Sequence, residues 1–308
     1  MRSMRKSVGI ILILAFAVGI AALVIDRRSA DIVVGSKHFT EQKILGEIIS
    51  QLIERRTKLK VRRRLGLQGT KVAFVAIREG NLDIYPEYTG TALVNILERK
   101  YDPNQSGEQI LAYVRARFRD KWGISFLEPM GFGNTYAFAM REQHARKLSI
   151  EKVSDLERYA AELRLGFDHE FTTRPEHERF EEIYGFTFSK DAIKLDPDLA
   201  YKALFNSSVD VIDAFSTDGR IAAYNIRVLE DDKNLFPPYD ACVVVRDEIL
   251  SEYPELKTLL AELGGLISEK AMQQMNYAVT EELRAPASVA SKFLVSRRLV
   301  PQTADSDD

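Results

Sequence analysis

Two hydrophobic periods alternate along the chain. Asp31-Ile32-Val33-Val34-Gly35 is a short continuous apolar run, which predicts a buried strand. After the turn Ser36 to Thr40, the positions Ile44, Leu45, Ile48, Ile49, Leu52 and Ile53 fall on one helical stripe, with Thr40 expected as the N-cap. The basic run Arg55 to Arg64 alternates at its end, as an edge strand does. It reads as a solvated face or as a contact for anionic lipid head groups. Gly66 to Thr70 turns, and Lys71 to Glu79 predicts a helix stopped by Gly80. Leu82 to Tyr85 alternates as a strand that Pro86 is expected to break, since its ring removes a donor and fixes φ. Tyr88, Thr89 and Thr91 then enter a turn containing Gly90, ahead of the apolar run Ala92 to Leu97.

Residues 98 to 129 read as polar and helical. Gly131 to Met140 is glycine-loosened at its start and strand-like at its end, which suits a crossover between lobes. Ser149 to Ala161 predicts a helix, Leu163 to Asp168 a strand, and Phe171 to Pro175 a turn in which Pro175 holds Arg174 extended. Val209 to Phe215 is a strand, followed by the Ser216-Thr217-Asp218-Gly219 turn and a helix from Arg220. An extended connector, Val228 to Tyr239, is stiffened by Pro237 and Pro238. It leads into the strand Ala241 to Val245 and then helices to about residue 297, with Pro254 at a first turn and Pro286 between helices. The tail from Gln302 is acidic and expected to fray. Strands and helices alternate, cross over near 132 and return near 235. The expectation is an α/β fold of two lobes: residues 31–131 and 238–308 form one, residues 132–237 the other, and the ligand cleft lies between them.

At the amino terminus, Arg2, Arg5 and Lys6 precede an uninterrupted apolar run from Val8 through Ile25. Residues 1–30 are therefore expected to be a signal or anchor segment. The run is long enough to span, and Ala22 to Ile25 makes a poor cleavage site, which favours an uncleaved anchor over a cleaved signal. Either places the rest at the periplasmic or extracytoplasmic face. A chain of 308 residues with a net charge of -2 can build a sizeable core and is not expected to bind nucleic acid. Cys242 is the single cysteine and the four histidines lack metal-site spacing, so neither a disulfide nor a metal centre is expected. No nucleophile elbow or phosphate loop is present, so the reading is not an enzyme and no cofactor is called for.

The candidate chemistry lies in the turns. Tyr88, Tyr136, Phe215 and Tyr239 each place a large ring at a strand–turn junction. A box of aromatic faces suits a quaternary ammonium ion, which donates no hydrogen bonds and is attracted to the negative face of each ring. Arg174 is placed to clamp a carboxylate and Lys37 to add a point charge, since it precedes a helix start. Thr91 and its turn amides would add hydrogen bonds. From spacing alone, core or hinge packing of the four rings is the competing reading.

The segments Gly35-Ser36-Lys37, Phe39 to Gln42, Asp83 to Thr91, Asn134 to Ala137, Asp213 to Ile221 and Phe236 to Tyr239 together resemble the glycine betaine/choline substrate-binding proteins of osmoprotectant ABC transporters. The resemblance runs from Asp31 to about Arg298. It implies the periplasmic-binding-protein fold of the second topological type, closing on its ligand, with a permease subunit as partner. It also implies an aromatic cage at Tyr88, Tyr136, Phe215 and Tyr239, with Lys37, Thr91 and Arg174 holding a ligand's acid group. Three departures stand out: Phe215 where members usually carry tyrosine, Gly133 in place of an asparagine, and Pro175-Glu176-His177 in place of a Pro-Asp-Gly pattern. A membrane-tethered sensor of quaternary ammonium compounds is the alternative function on the same fold.

Overall fold

Strand β1, Ile32–Lys37, is buried along its whole length because elements cover both of its faces, as the continuous apolar run requires. In the computed structural model, which describes residues 30–169 and 171–302, β1 is the second strand of a five-stranded sheet. Its order is β2 (Val61–Leu67), β1, β3 (Ile84–Tyr88), β10 (Asp240–Arg246) and β4 (Ile124–Gly133). β1 runs parallel to β2 and β3, whereas β10 runs antiparallel to β3 and β4. The helix Thr40–Arg56 lies against this sheet and buries Ile44, Leu45, Ile48, Ile49, Leu52 and Ile53 completely, the stripe its periodicity predicts. The C-terminal helix Pro286–Ser296 packs on the same helix, so the end of the chain completes the first lobe.

A second five-stranded sheet has the order β7 (Ile193–Lys194), β6 (Leu165–Phe167), β8 (Val211–Phe215), β5 (Tyr136–Arg141) and β9 (Ile226–Val228). It has its own aromatic core around Phe138, Phe167, Phe171 and Phe236. The chain leaves the first sheet at Gly133, enters the second at Tyr136, and returns from β9 to β10 through residues 229–239. Two strands of connection therefore join two separately cored lobes.

Several local expectations need correction. The Thr40–Arg56 helix has Phe39, not Thr40, at its N-cap, with no side-chain cap bond. Gln42 in its first turn works across the sheet instead, accepting from the Lys37 N–H at 3.0 Å and donating to the Pro86 carbonyl at 2.9 Å. That amide explains why Pro86 does not break β3 but sits inside it, opposite Val243. N–H and C=O of one residue point to the same side of a strand. The donor Pro86 lacks would thus face the side where Gln42, not β1, closes the gap. Residues 98–129 are not one helix. Ser106 forms a capping box with Gln109 to start a helix over Gly107–Trp122, Gly123 ends it at φ 62, and β4 follows. The helix expected over 149–161 is instead Glu142–Leu148 followed by a 3-10 stretch, Val153–Tyr159.

Three arginines of the basic run are engaged. Arg63 bonds Glu47 at 3.0 Å and Glu54 at 2.7 Å, Arg56 reaches Glu262 and the Leu299 carbonyl, and Arg55 reaches Ser291 and the Pro301 carbonyl. Arg63 thus fastens β2 to the long helix, and Arg55 and Arg56 fasten that helix to the C-terminal segment, while Lys58 and Lys60 stay exposed. The expected anchor at residues 8–25 and the tail beyond 302 lie outside the described residues. Among those described, no helix is long and apolar enough to cross a membrane.

Candidate ligand-binding cleft

The pairing of the two sheets decides where the candidate rings go. Parallel strands β1, β3 and β8 present their carboxyl ends, Lys37, Tyr88 and Phe215, toward the space between the lobes. The antiparallel strands bring their amino ends to the same side, so Tyr239 precedes β10 beside Tyr88, and Tyr136 opens β5 opposite Phe215. All seven sequence candidates (Tyr88, Tyr136, Phe215, Tyr239, Arg174, Lys37 and Thr91) border one cavity of about 920 Å³. Tyr88 and Tyr239 are rooted in the first-lobe core and Tyr136 in the second, with Phe215 packed against it. The Tyr136 and Phe215 ring centroids are 4.8 Å apart.

Local bonds fix these positions. Thr89 Oγ1 donates to the Pro238 carbonyl at 3.0 Å and accepts from the Asp240 N–H at 3.0 Å, which ties the return strand to the turn after Tyr88. Gly90 is required at this junction. A Cβ there would lie 2.8 Å from the Pro238 carbonyl oxygen and 2.8 Å from the Tyr239 ring. Ser216 does the same for the second lobe, accepting from the Thr135 N–H at 3.2 Å and donating to the Gly133 carbonyl at 3.1 Å. Gly133, one of the departures, lies 3.3 Å (as a built Cβ) from the Tyr239 carbonyl oxygen, a close approach that a larger residue would disturb.

Both candidate anion holders carry protein carboxylates. Lys37 Nζ is 2.5 Å from Glu87 Oε1, with both side chains buried, and lies 4.9 Å from the Tyr88 ring. Arg174 faces Glu176 through Nε and Nη2, each at 3.2 Å, and Nη2 also donates to the Tyr239 hydroxyl at 2.8 Å. Its guanidinium sits 4.8 Å from the Tyr136 ring. The expectation that these two cations stand ready for a ligand's acid group is thereby modified: each borders the cavity with its charge already matched.

The residue that sequence reasoning did not single out is Glu41. It is buried at the cavity wall and accepts from the Tyr88 hydroxyl at 2.5 Å, Asn134 at 2.9 Å and Asn276 at 3.1 Å. Asn276 also donates to the Thr217 carbonyl at 2.8 Å, so this carboxyl gathers both lobes and the crossover. Burial raises the Glu41 pKa against the pull of its donors, and burial beside Glu41 raises the Tyr88 phenol well above its usual value. The proton-donating bond from the phenol fixes the ring's orientation in the cavity wall. A glutamate in the first turn of a helix gives no sequence signal of this, because helix starts commonly carry acids for the dipole. Asp168 also borders the cavity, and its neighbour Asp213 is pushed up to about 8 by burial and by the Asp168 charge.

Comparison with known proteins identifies the family and the fold. Residues 30–296 match the family described as the substrate binding domain of ABC-type glycine betaine transport systems. The chain is 39% identical over 266 residues to the carnitine transport binding protein OpuCC of Listeria monocytogenes, covering 85% of each. It is 35% identical over 298 residues to the glycine-betaine-binding protein of Pseudomonas aeruginosa, covering 92% of each. Among solved structures, one described as a glycine betaine/carnitine/choline ABC transporter superposes with a TM-score of 0.82 at 34% identity, covering 87% of this chain and 99% of that one. These relatives are transport binding proteins, and the two-lobed α/β fold is theirs. The chain belongs to the family of substrate-binding domains of ABC-type glycine betaine transport systems.

Proposed function

We propose that this protein captures a trimethylammonium solute outside the cytoplasmic membrane, in the cavity between its lobes, and delivers it to the permease of an ABC importer. The observation that carries the reading is the meeting of four rings from two separate cores, Tyr88 and Tyr239 with Tyr136 and Phe215, on one cavity. Each face contributes roughly 0.5–2 kcal/mol to a desolvated cation. Micromolar affinity needs about 8 kcal/mol, so contacts from Thr91 and the rest of the wall add to the cage. Closure of the lobes about the two connections at residues 134–135 and 229–239 would bring the rings of both lobes onto the cation together and strip its water. Residues 8–25 would tether the protein beside its permease.

Trp122 lies in the first-lobe core, 4.6 Å from Phe74 and 4.9 Å from Phe118 by ring centroids, and does not border the cavity. Calorimetry is therefore the better readout. Titration of the purified protein with glycine betaine, carnitine and choline should give saturable one-to-one binding for at least one of them. Absence of heat with all three overturns the reading. A mass measurement of the amino terminus of the membrane-isolated protein should return the uncut chain if the tether is retained.

A further inference from the structure

Arg174 and Tyr239 share a partner that does not itself border the cavity. Glu176, two residues along on the short helix Pro175–Glu178, offers one oxygen to Arg174 Nε and the other to Nη2, both at 3.2 Å. The Tyr239 hydroxyl accepts from Arg174 at 2.8 Å and donates to the same carboxylate at 3.4 Å. Glu176 is buried and the Arg174 side chain nearly so. The Nε–Nη2 edge of a guanidinium is one of the paired-donor edges that bind a carboxylate in two-point fashion. Here that edge is taken by a residue of the protein.

We infer that Glu176 is a specificity-determining residue: by occupying Arg174 as an internal carboxylate, it sets the balance between quaternary ammonium ligands that carry an acid group and those that do not. The inference rests on the reading of the cavity as a quaternary ammonium site. A ligand carboxylate approaching Arg174 must displace an intramolecular competitor held at high effective concentration, or share the cation with a second negative charge. A trimethylammonium alcohol makes no such demand, since it needs only the ring faces. Two of the other cations bordering the cavity, Lys37 and Arg220, are themselves paired, with Glu87 and Asp218 respectively. Glu176 thus acts through Arg174, leaving the rings to hold the cationic head common to all these ligands.

The test is the ratio of affinities for glycine betaine and choline, measured calorimetrically on the full-length protein and its Glu176→Gln variant. Removing the charge while keeping the shape releases the Arg174 edge, so the betaine-to-choline affinity ratio should rise at least tenfold. The double variant Arg174→Gln/Glu176→Gln should bring the ratio back to within about threefold of the wild type. A ratio unmoved by Glu176→Gln, with both affinities changing by the same factor, would mean that Glu176 only supports the fold, and would overturn the inference. Should Glu176→Gln fail to fold, Glu176→Asp keeps the charge on a shorter arm and must raise the ratio about threefold; an unchanged ratio there overturns the inference equally. Failure of the wild-type protein to bind either ligand would remove the quaternary ammonium reading and this inference with it. Binding with an unmoved ratio removes the inference alone.

Discussion

Ion pairs flank the cavity in both lobes, and two of them are built differently. Lys37 and Glu87 come from adjacent strands β1 and β3, fifty positions apart, with side-chain exposures of 5% and 0%. Glu87 also accepts from the Tyr88 N–H at 2.8 Å and the Tyr85 hydroxyl at 3.3 Å, so the pair is stitched into the sheet. Arg174 and Glu176 lie two positions apart, at the start of the short helix Pro175–Glu178, with exposures of 12% and 7%, and their third partner is the ring hydroxyl of Tyr239. The first pair cannot exchange partners without disturbing the strands that carry Tyr88. The second can rearrange by side-chain rotation alone. A cation at a cavity wall is therefore not in itself a ligand contact: the first pair is part of the sheet that carries Tyr88, and the second is the one we propose responds to ligand chemistry.

The largest effect should come from attacking the scaffold pair. Lys37→Met leaves the Glu87 carboxylate buried without its cation, which costs about 3–5 kcal/mol. For a protein of this size that corresponds to a drop of roughly 10 °C in Tm by calorimetric melting. The double variant Lys37→Met/Glu87→Gln should recover most of the loss. A single variant melting with the wild type would show that the pair is not structural and would erase the contrast.

Next in size is the cage itself. Tyr88→Ala should weaken binding of a trimethylammonium ligand at least tenfold, about 1.4 kcal/mol. Tyr88→Phe keeps the ring face and should lose much less, although it deprives Glu41 of its 2.5 Å donor. Equal losses in the two titrations would assign the effect to the hydroxyl and Glu41 rather than to the ring.

The second lobe carries a pH-dependent element beside the cavity. Asp168 accepts from the Phe171 N–H at 2.9 Å, and its own N–H donates to Asp213 at 2.8 Å. Burial and the Asp168 charge push Asp213 up to about 8. In the folded protein it therefore keeps a proton that the unfolded chain has released. That contribution is fully present below about pH 4 and is lost as pH rises through about 8. Asp213→Asn, which is neutral at every pH, should flatten the decline of Tm between pH 5 and 8. A decline identical to the wild type would place the titration elsewhere. The smallest change expected is that of Tyr239→Phe, which keeps the ring, removes the hydroxyl between Arg174 and Glu176, and should alter choline affinity by less than about threefold in the same titration.

Much of this was legible in the chain. Ile44 to Ile53 declared its helix through a 3.6-residue period, and the repeated strand–aromatic–turn pattern placed Tyr88, Phe215 and Tyr239 at strand ends, where the structure has them bordering one cavity. What escaped was set by tertiary partners. Pro86 sits in a strand because Gln42, forty-four positions away, takes over its carbonyl. The β4 strand was hidden behind Gly123 and the polar Ser125 and Glu128, and it forms by pairing with β10, more than a hundred residues later. Lys37 and Arg174 were legible as charges at strand or turn junctions, and both border the cavity, but Glu87 and Glu176 were not legible as their partners. Local sequence says nothing of which carboxylate a buried cation faces.

The rings are proposed to act on charge rather than on greasiness. Choline and its neutral carbon isostere, 3,3-dimethyl-1-butanol, have nearly the same shape and differ in the charge at the quaternary centre. Calorimetric titration of the wild-type protein with both should find choline bound at least about thirtyfold more tightly, about 2 kcal/mol, within what several ring faces supply. Equal affinity for the two would contradict the account, because a cavity that cannot tell a cation from a tert-butyl group is a hydrophobic pocket and not a cage.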